Sequence, residues 1–290
     1  MNSTENSTKE YDYDIQRNKE IMNNNIIDIG LSINKVYNEN CINILKKIND
    51  NSIDLTLTSP PYDNLRNYKN NIFEIWNKNI WEQVIYELYR ITKTGGIVVW
   101  VVGDATINGS ETCSSFKQAL YFREVGFNLH DTMIYQKQNP IPQFKAHRYT
   151  NSFEYMFVFS KGLPKHGKII EVETKQCGRI DINYRGQVTA DEIYIGKPKK
   201  IVKSSKIKSN IWIYSQNNGI DRKIKHKAQF PEQLANDHII SWSNEGDIVL
   251  DPFAGSGTTL KAAKLNKRNY IGIEINKEYC EIIKKRLEFF

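Results

Sequence analysis

The stretch that most constrains the fold is "DIVLDPFAGSGTTLKAAKLNKRNYIGIEIN", residues 247–276. An apolar run ends at Asp251, a turn holds Gly255 and Gly257, and a helix opens at Thr258. A second apolar run then ends in Glu274, 23 residues after Asp251. Strand, glycine turn, helix and acid-tipped strand form the layout of a nucleoside-binding βαβ unit. The glycines let backbone approach a ligand closely, and the acid can accept both ribose hydroxyls. The turn lacks Gly-Lys-Ser/Thr, so it is no phosphate-cradling loop, and it departs from the GxGxxG spacing of dinucleotide sites.

A βαβ unit makes its two strands parallel, and the rest of the chain repeats the theme. The pattern predicts a strand near Lys35–Tyr37, a helix over Cys41–Ile48 and the strand Ile53–Thr58. In "IWEQVIYELYRITKTGG", Trp81, Val84, Ile85, Leu88 and Ile91 fall at helical spacing, and Gly95-Gly96 reads as the stop. "IVVWVVGD" is apolar throughout, as in a strand covered on both faces. A helix near Ser114–Val125, the strands His130–Gln136 and Tyr155–Ser160, a helix Pro231–Ser241, the strands Asp247–Asp251 and Tyr270–Glu274, and a last helix Lys277–Leu287 complete an α/β chain with a mostly parallel sheet. Residues 1–30 are polar and Asn-rich and read as a flexible arm.

Charge marks one segment off. The 290 residues carry a net +7, yet residues 160–225 alone hold 15 Lys and Arg against 6 Asp and Glu. All the positive excess therefore sits in a stretch of weak periodicity that carries Tyr184, Tyr194, Trp212 and Tyr214. It reads as a small, loop-rich basic insert suited to a polyanion. Cys41, Cys113, Cys177 and Cys280 form no CxxC pair, so neither a zinc site nor a disulfide framework is indicated, and reduced cytosolic thiols are expected. The N-terminus lacks the apolar core of a signal peptide, and no run of about 18 apolar residues spans a membrane.

The second informative stretch is "LTLTSPPYDN", residues 55–64. A strand runs into Ser59-Pro60-Pro61-Tyr62, a corner that no sheet can continue because neither proline donates a backbone hydrogen bond. Alone, the corner is equally a rigid loop or a polyproline-type docking segment.

"TSPPY" followed by "DPFAGSGTT" resembles the amino-group DNA methyltransferases, with the catalytic motif first, as in the permuted beta group. "ITKTGGIVVWVVGD", "NPIPQFKAHRYTNSFEYMFVFSKG", "HKAQFPEQLANDHI" and "YIGIEIN" fit the family pattern in order, over most of residues 35–288. The resemblance implies a Rossmann-like methyltransferase sheet with helices on both faces. Residues 31–160 and 226–290 would form the catalytic domain, and 161–225 the target-recognition region. It implies Ser59, Pro60, Pro61 and Tyr62 as catalytic residues. It gives Asp251, Pro252, Phe253, Gly255, Ser256, Gly257, Thr258 and Glu274 to S-adenosylmethionine. Phe230 and Pro231 would close over the donor's methionine end, although Pro231-Glu232 equally suits a plain first helical turn. No metal is implied. The family's "GD" pair has Glu39-Asn40 in its place, and His147 and Arg148 are candidate phosphate contacts.

The implied chemistry explains the corner. An exocyclic amino nitrogen is a weak nucleophile while its lone pair is delocalised into the ring. Ser59 oxygen and the Pro60 carbonyl supply acceptors for its hydrogens, and Tyr62 offers a ring for an extruded base to stack on. Cytosine-C5 chemistry fits poorly, since it needs a nucleophilic cysteine, usually after proline, and no Pro-Cys occurs. Serine in the first motif position leans towards N4 of cytosine, with N6 of adenine as the alternative. RNA amino-methylation and a catalytically silent DNA-binding protein rank lower. Double-stranded DNA is the expected partner, a cognate restriction endonuclease a candidate, the state monomer or homodimer, and the compartment the cytoplasm of a prokaryote or phage host.

Overall fold

A computed structural model describes residues 30–61, 76–140, 142, 148–165, 167–174, 180–181, 200–201, 203–215 and 231–288. The N-terminal arm, Tyr62, the loop 63–71, His147, Cys177 and Phe230 lie outside the described residues. The strands are β1 (Lys35–Tyr37), β2 (Ile53–Thr58), β3 (Thr92–Val102), β4 (Thr106–Ile107), β5 (Ser110–Glu111), β6 (Asn128–Lys137), β7 (Phe153–Ser160), β8 (Glu171–Glu173), β9 (Ile180–Asp181), β10 (Lys200–Ile201), β11 (Ser205–Ile207), β12 (Ile211–Tyr214), β13 (Ile248–Asp251) and β14 (Asn269–Ile273). The helices are α1 (Cys41–Leu45), α2 (Lys78–Ile91), α3 (Ser114–Val125), α4 (Glu232–Trp242), α5 (Thr258–Leu265) and α6 (Lys277–Glu288).

Eight strands form the main sheet in the order β1-β14-β13-β2-β3-β7-β6-β12. Every neighbouring pair is parallel except the two made by β7. The apolar run of β3 explains its central place. Val98, Trp100 and Val102 pack into one core with Trp81, Val84, Ile85 and Leu88 of α2 and Phe122 of α3. Ile97, Val99 and Val101 pack into the other core with Leu234 and Ile239 of α4, Leu260 of α5 and Ile283 of α6. Period-2 alternation thus feeds two helical layers, one on each face. On the first face Phe122 stacks on Phe159, with centroids 4.1 Å apart, and the buried Trp100 Nε1 donates to Gln118 Oε1 at 2.8 Å.

The expected glycine stop of α2 is corrected. The helix ends at Ile91, ahead of Gly95-Gly96, because Thr92 enters strand pairing with Ile53. Lys161 Nζ caps the freed carbonyls, donating to Tyr89 O at 2.7 Å and Thr92 O at 2.9 Å. Gly95 instead lies within β3 at φ +86°, where a Cβ would come within 2.3 Å of Lys165 Cγ.

The basic insert is also less loop-like than its pattern suggests. Ile211–Tyr214 joins the main sheet, parallel to β6. It is fixed there by a partly buried cluster in which Lys208 Nζ and Tyr214 Oη both donate to Asp237 Oδ2 of α4, at 2.8 and 2.6 Å. Before it, β8 pairs with β11 and β9 with β10, each antiparallel.

Candidate active site

In a parallel sheet all strand carboxyl ends lie along one edge, and ligands bind there. β2 and β13 are parallel neighbours, with Leu55 opposite Val249 and Thr56 opposite Leu250. Ser59-Pro60-Pro61 leaves the end of β2, and the glycine turn leaves the end of β13. The two motifs, about 190 residues apart in the chain, therefore start one strand spacing apart, roughly 4.8 Å. They are also bonded. Thr58 Oγ1 donates to Asp251 Oδ1 at 2.7 Å, and Thr259 Oγ1 donates back to Leu57 O at 3.2 Å.

Asp251 is only 2% exposed. Burial pushes its carboxyl up to about 6, against the pull of hydrogen bonds from Thr58 and the Phe253 amide. That amide donates to Asp251 Oδ1 at 3.1 Å, which turns the chain away from the strand direction after Pro252. The Phe253 ring then packs edge-on to the buried Trp76 at 5.1 Å and lies 6.3 Å from Trp100.

The turn itself needs its glycines. Gly255 sits at φ +52° and Gly257 at φ +80°, the left-handed region that side chains resist. A Cβ on Gly257 would also come within 3.0 Å of Ile283. Gly272 in β14 has a different use. A Cβ there would meet Leu260 Cδ1 at 2.3 Å, so its absence lets α5 lie close on the sheet.

Glu274 directly follows β14 and faces the turn from the next strand. Its Oε2 accepts from Gly255 N–H at 2.8 Å and its Oε1 from Asn276 N–H at 2.9 Å. A carboxylate has four lone-pair positions, so beyond these amides it keeps acceptor capacity suited to ribose hydroxyls. Burial raises Glu274 to about 7, the amides of Asn276, Gly255 and Ile275 pull it down, and nearby Asp251 raises it further. Backbone at left-handed glycines beside a paired-acceptor carboxylate suits a nucleoside-bearing donor, so the residues present fit S-adenosylmethionine.

Other expected positions have local duties. Asn40 Oδ1 caps α1 by accepting from Ile42 N–H at 2.9 Å, so it is engaged where the family's pattern has an acid. Asn38 Nδ2 donates to the carbonyls of Glu274 and Ile275 at 2.9 and 3.0 Å, fixing the chain beside the carboxylate. Pro231 is buried and its carbonyl accepts from Leu234 N–H, opening α4. Arg148 pairs with Glu111 and the Gly109 carbonyl on the β4–β5 hairpin. Ser256 and Thr258 are buried against Arg286. Sequence reasoning missed Thr58, Thr259, Asn38 and Arg286. Thr58 adjoins a named motif, whereas nothing in the pattern pairs Arg286 with the turn. Among the described residues, no cluster of three His, Cys, Asp or Glu could hold a metal ion, and no helix is long and apolar enough to cross a membrane.

Comparison with known proteins agrees with this geometry. A DNA methylase family model (N6_N4_Mtase) matches residues 53–285. The chain is 50% identical over 249 residues to the orphan methyltransferase M.BamHII of Bacillus amyloliquefaciens, covering 84% of this chain and 91% of that protein. It is 30% identical over 253 residues to the DNA adenine methyltransferase YhdJ of Escherichia coli, covering 84% and 79%. Among solved structures, the cytosine-N4-specific PvuII DNA methyltransferase shares the fold at a TM-score of 0.65 and 22% identity, over 88% of this chain and 86% of that one. The M1.HpyAVI complex with S-adenosylmethionine matches at 0.57 and 25% identity, over 87% and 98%. A family model spanning both motifs, and a relative of similar length sharing half its aligned residues, place the chain in the N6/N4 DNA methylase family, as an S-adenosylmethionine-dependent DNA amino-methyltransferase.

Proposed function

We propose that the protein methylates N4 of cytosine at a specific site in double-stranded DNA. The observation that carries the reading is the adjacency of the Ser59-Pro60-Pro61 corner and the glycine turn on neighbouring parallel strands, tied by Thr58 to Asp251. When bound, S-adenosylmethionine supplies an electrophilic methyl on a sulfonium. Glu274 and the backbone at Gly255 and Gly257 hold the nucleoside portion, Asp251, Pro252 and Phe253 line the pocket beside it, and Phe230-Pro231 close it. Ser59 oxygen and the Pro60 carbonyl accept hydrogen bonds from the target amino group, drawing its lone pair out of the ring. Proline fixes φ, so this acceptor is aimed before the base arrives. Pro61 stiffens the same corner, and Tyr62 stacks on the base once it has left the duplex, an extrusion costing a few kcal/mol. Residues 161–225 carry the basic excess that would contact phosphates and base edges.

Cytosine is favoured by Ser59, a neutral hydroxyl at the position where the resemblance associates serine with cytosine and aspartate with adenine. The adenine-N6 reading is kept because a 30%-identical relative is named as an adenine methyltransferase. Expression in a methylation-free bacterial host, with mass spectrometry of the nucleosides and long-read sequencing, separates the two. N4-methylcytosine in one sequence context supports the proposal, and N6-methyladenine alone replaces it with the second reading. A cognate endonuclease and a monomeric or homodimeric state in a prokaryotic cytoplasm belong to the same proposal.

A further inference from the structure

The hydroxyls of the glycine turn face the protein. Ser256 is 3% exposed and Thr258 5%. Both reach Arg286 of α6, whose Nη1 donates to Ser256 O at 2.9 Å, Ser256 Oγ at 3.3 Å and Thr258 Oγ1 at 3.3 Å. The Arg286 side chain is itself 6% exposed and pairs through Nη2 with Glu232, the first residue of α4. Glu232 also takes Lys261 Nζ of α5 on both oxygens at 2.9 Å. Three helices thus converge behind the turn through one carboxylate and two cations.

A buried guanidinium persists only where its donors are matched, and here the turn supplies the match. The Ser256 carbonyl shares a rigid peptide plane with Gly257 N–H, which donates to Ala254 O at 2.7 Å and closes the turn. Holding that carbonyl inward sets the plane and, with it, the left-handed glycines on either side.

We infer that Arg286 is the positioning residue of the donor turn, and that Ser256 and Thr258 serve donor affinity through it rather than by touching the donor. The inference rests on the reading that this turn holds S-adenosylmethionine. One guanidinium touches the back of the turn and is itself held by Glu232 of α4, and the fork geometry of arginine is what serves four acceptors at once.

The test uses the full chain with DNA saturating, and measures donor KM and kcat for Ser256→Ala, Thr258→Val, Arg286→Lys and the double variants. Arg286→Lys is expected to raise donor KM about tenfold with kcat within about twofold, the size of a lost charged hydrogen bond. Adding Ser256→Ala or Thr258→Val to Arg286→Lys is expected to cost less than about twofold more, because coupled residues are not additive. Fully multiplicative losses would mean the hydroxyls contact the donor themselves and would overturn the inference. So would a fall in kcat at unchanged KM, or a matching loss of DNA affinity measured without donor. If Arg286→Lys does not fold, Glu232→Ala, which leaves the guanidinium in place but removes its carboxylate partner, takes its place in the same series. Glu274→Gln separates the two readings. Should it leave donor KM unchanged, the donor site itself is misplaced; should it raise KM while Arg286→Lys does not, only the role of Arg286 fails.

Discussion

Donor affinity should depend on pH through Glu274, and Glu274→Gln should remove that dependence. The carboxylate accepts from two backbone amides, and accepting both ribose hydroxyls as well requires its ionised form. Burial and neighbouring Asp251 raise it to about 7. If only the ionised form binds, affinity is divided by a factor of about 1.1 at pH 8 and about 11 at pH 6, a tenfold span or about 1.4 kcal/mol. The sign follows from the direction of the shift: lowering pH protonates Glu274 in the free protein, and affinity falls. Calorimetric titration of S-adenosylmethionine at pH 6, 7 and 8, on wild type and Glu274→Gln, measures it. The donor's own amino group also titrates near this range, and the variant reports that background. The variant should bind more weakly at every pH, because an amide cannot accept on both sides. Equal pH slopes for the two proteins would refute the assignment of Glu274 to the ribose.

Four further outcomes follow from particular contacts. Pro61→Ala and Tyr62→Ala should lower single-turnover rates by up to about 100-fold while changing donor affinity by less than about threefold, as follows if the corner aims the base and the glycine turn holds the donor; equal losses in both assays would contradict this. Thr58→Val removes a 2.7 Å hydrogen bond to buried Asp251 and should cost about 1–3 kcal/mol in a denaturant titration. In the ligand-free protein, Asp251 and Glu274 are raised from 3.8 to about 6 and from 4.5 to about 7. The folded chain keeps their protons to higher pH than the unfolded chain, so the stability they give is complete below about pH 4 and lost as pH rises through 6 to 7; the melting temperature should fall over that window, and less so in an Asp251→Asn, Glu274→Gln double variant. DNA affinity should fall steeply with salt, with a log–log slope of about −0.9 per neutralised phosphate, and a flat response would mean the basic insert does not face DNA.

The alternation of strands and helices, the two motifs and the charged insert were all readable in the chain, because each is a local pattern: period 2, period 3.6, a glycine turn, a run of like charge. The apolar run Ile97–Val102 announced a central strand, and the pairing of "TSPPY" with "DPFAGSGTT" announced the chemistry. What that reading could not supply came from partners distant in sequence. Lys161 and Lys208 count towards the insert's charge, yet Lys161 caps α2 and Lys208 pairs with Asp237; net charge does not tell a solvated cation from one that holds the fold. Gly95 looked like a helix stop and is a strand irregularity, because Thr92 pairs across the sheet before the glycines are reached.

By itself the sequence determined the fold class, the family and the two motifs that mark it, since these depend on residue types at short spacing. Only the tertiary structure decided that those motifs meet on adjacent parallel strands, that Asp251 is buried near Glu274, and that Arg286 grips the turn from behind. Those facts are distances between residues far apart in the chain, and burial and long-range hydrogen bonds exist only once the sheet has brought them together.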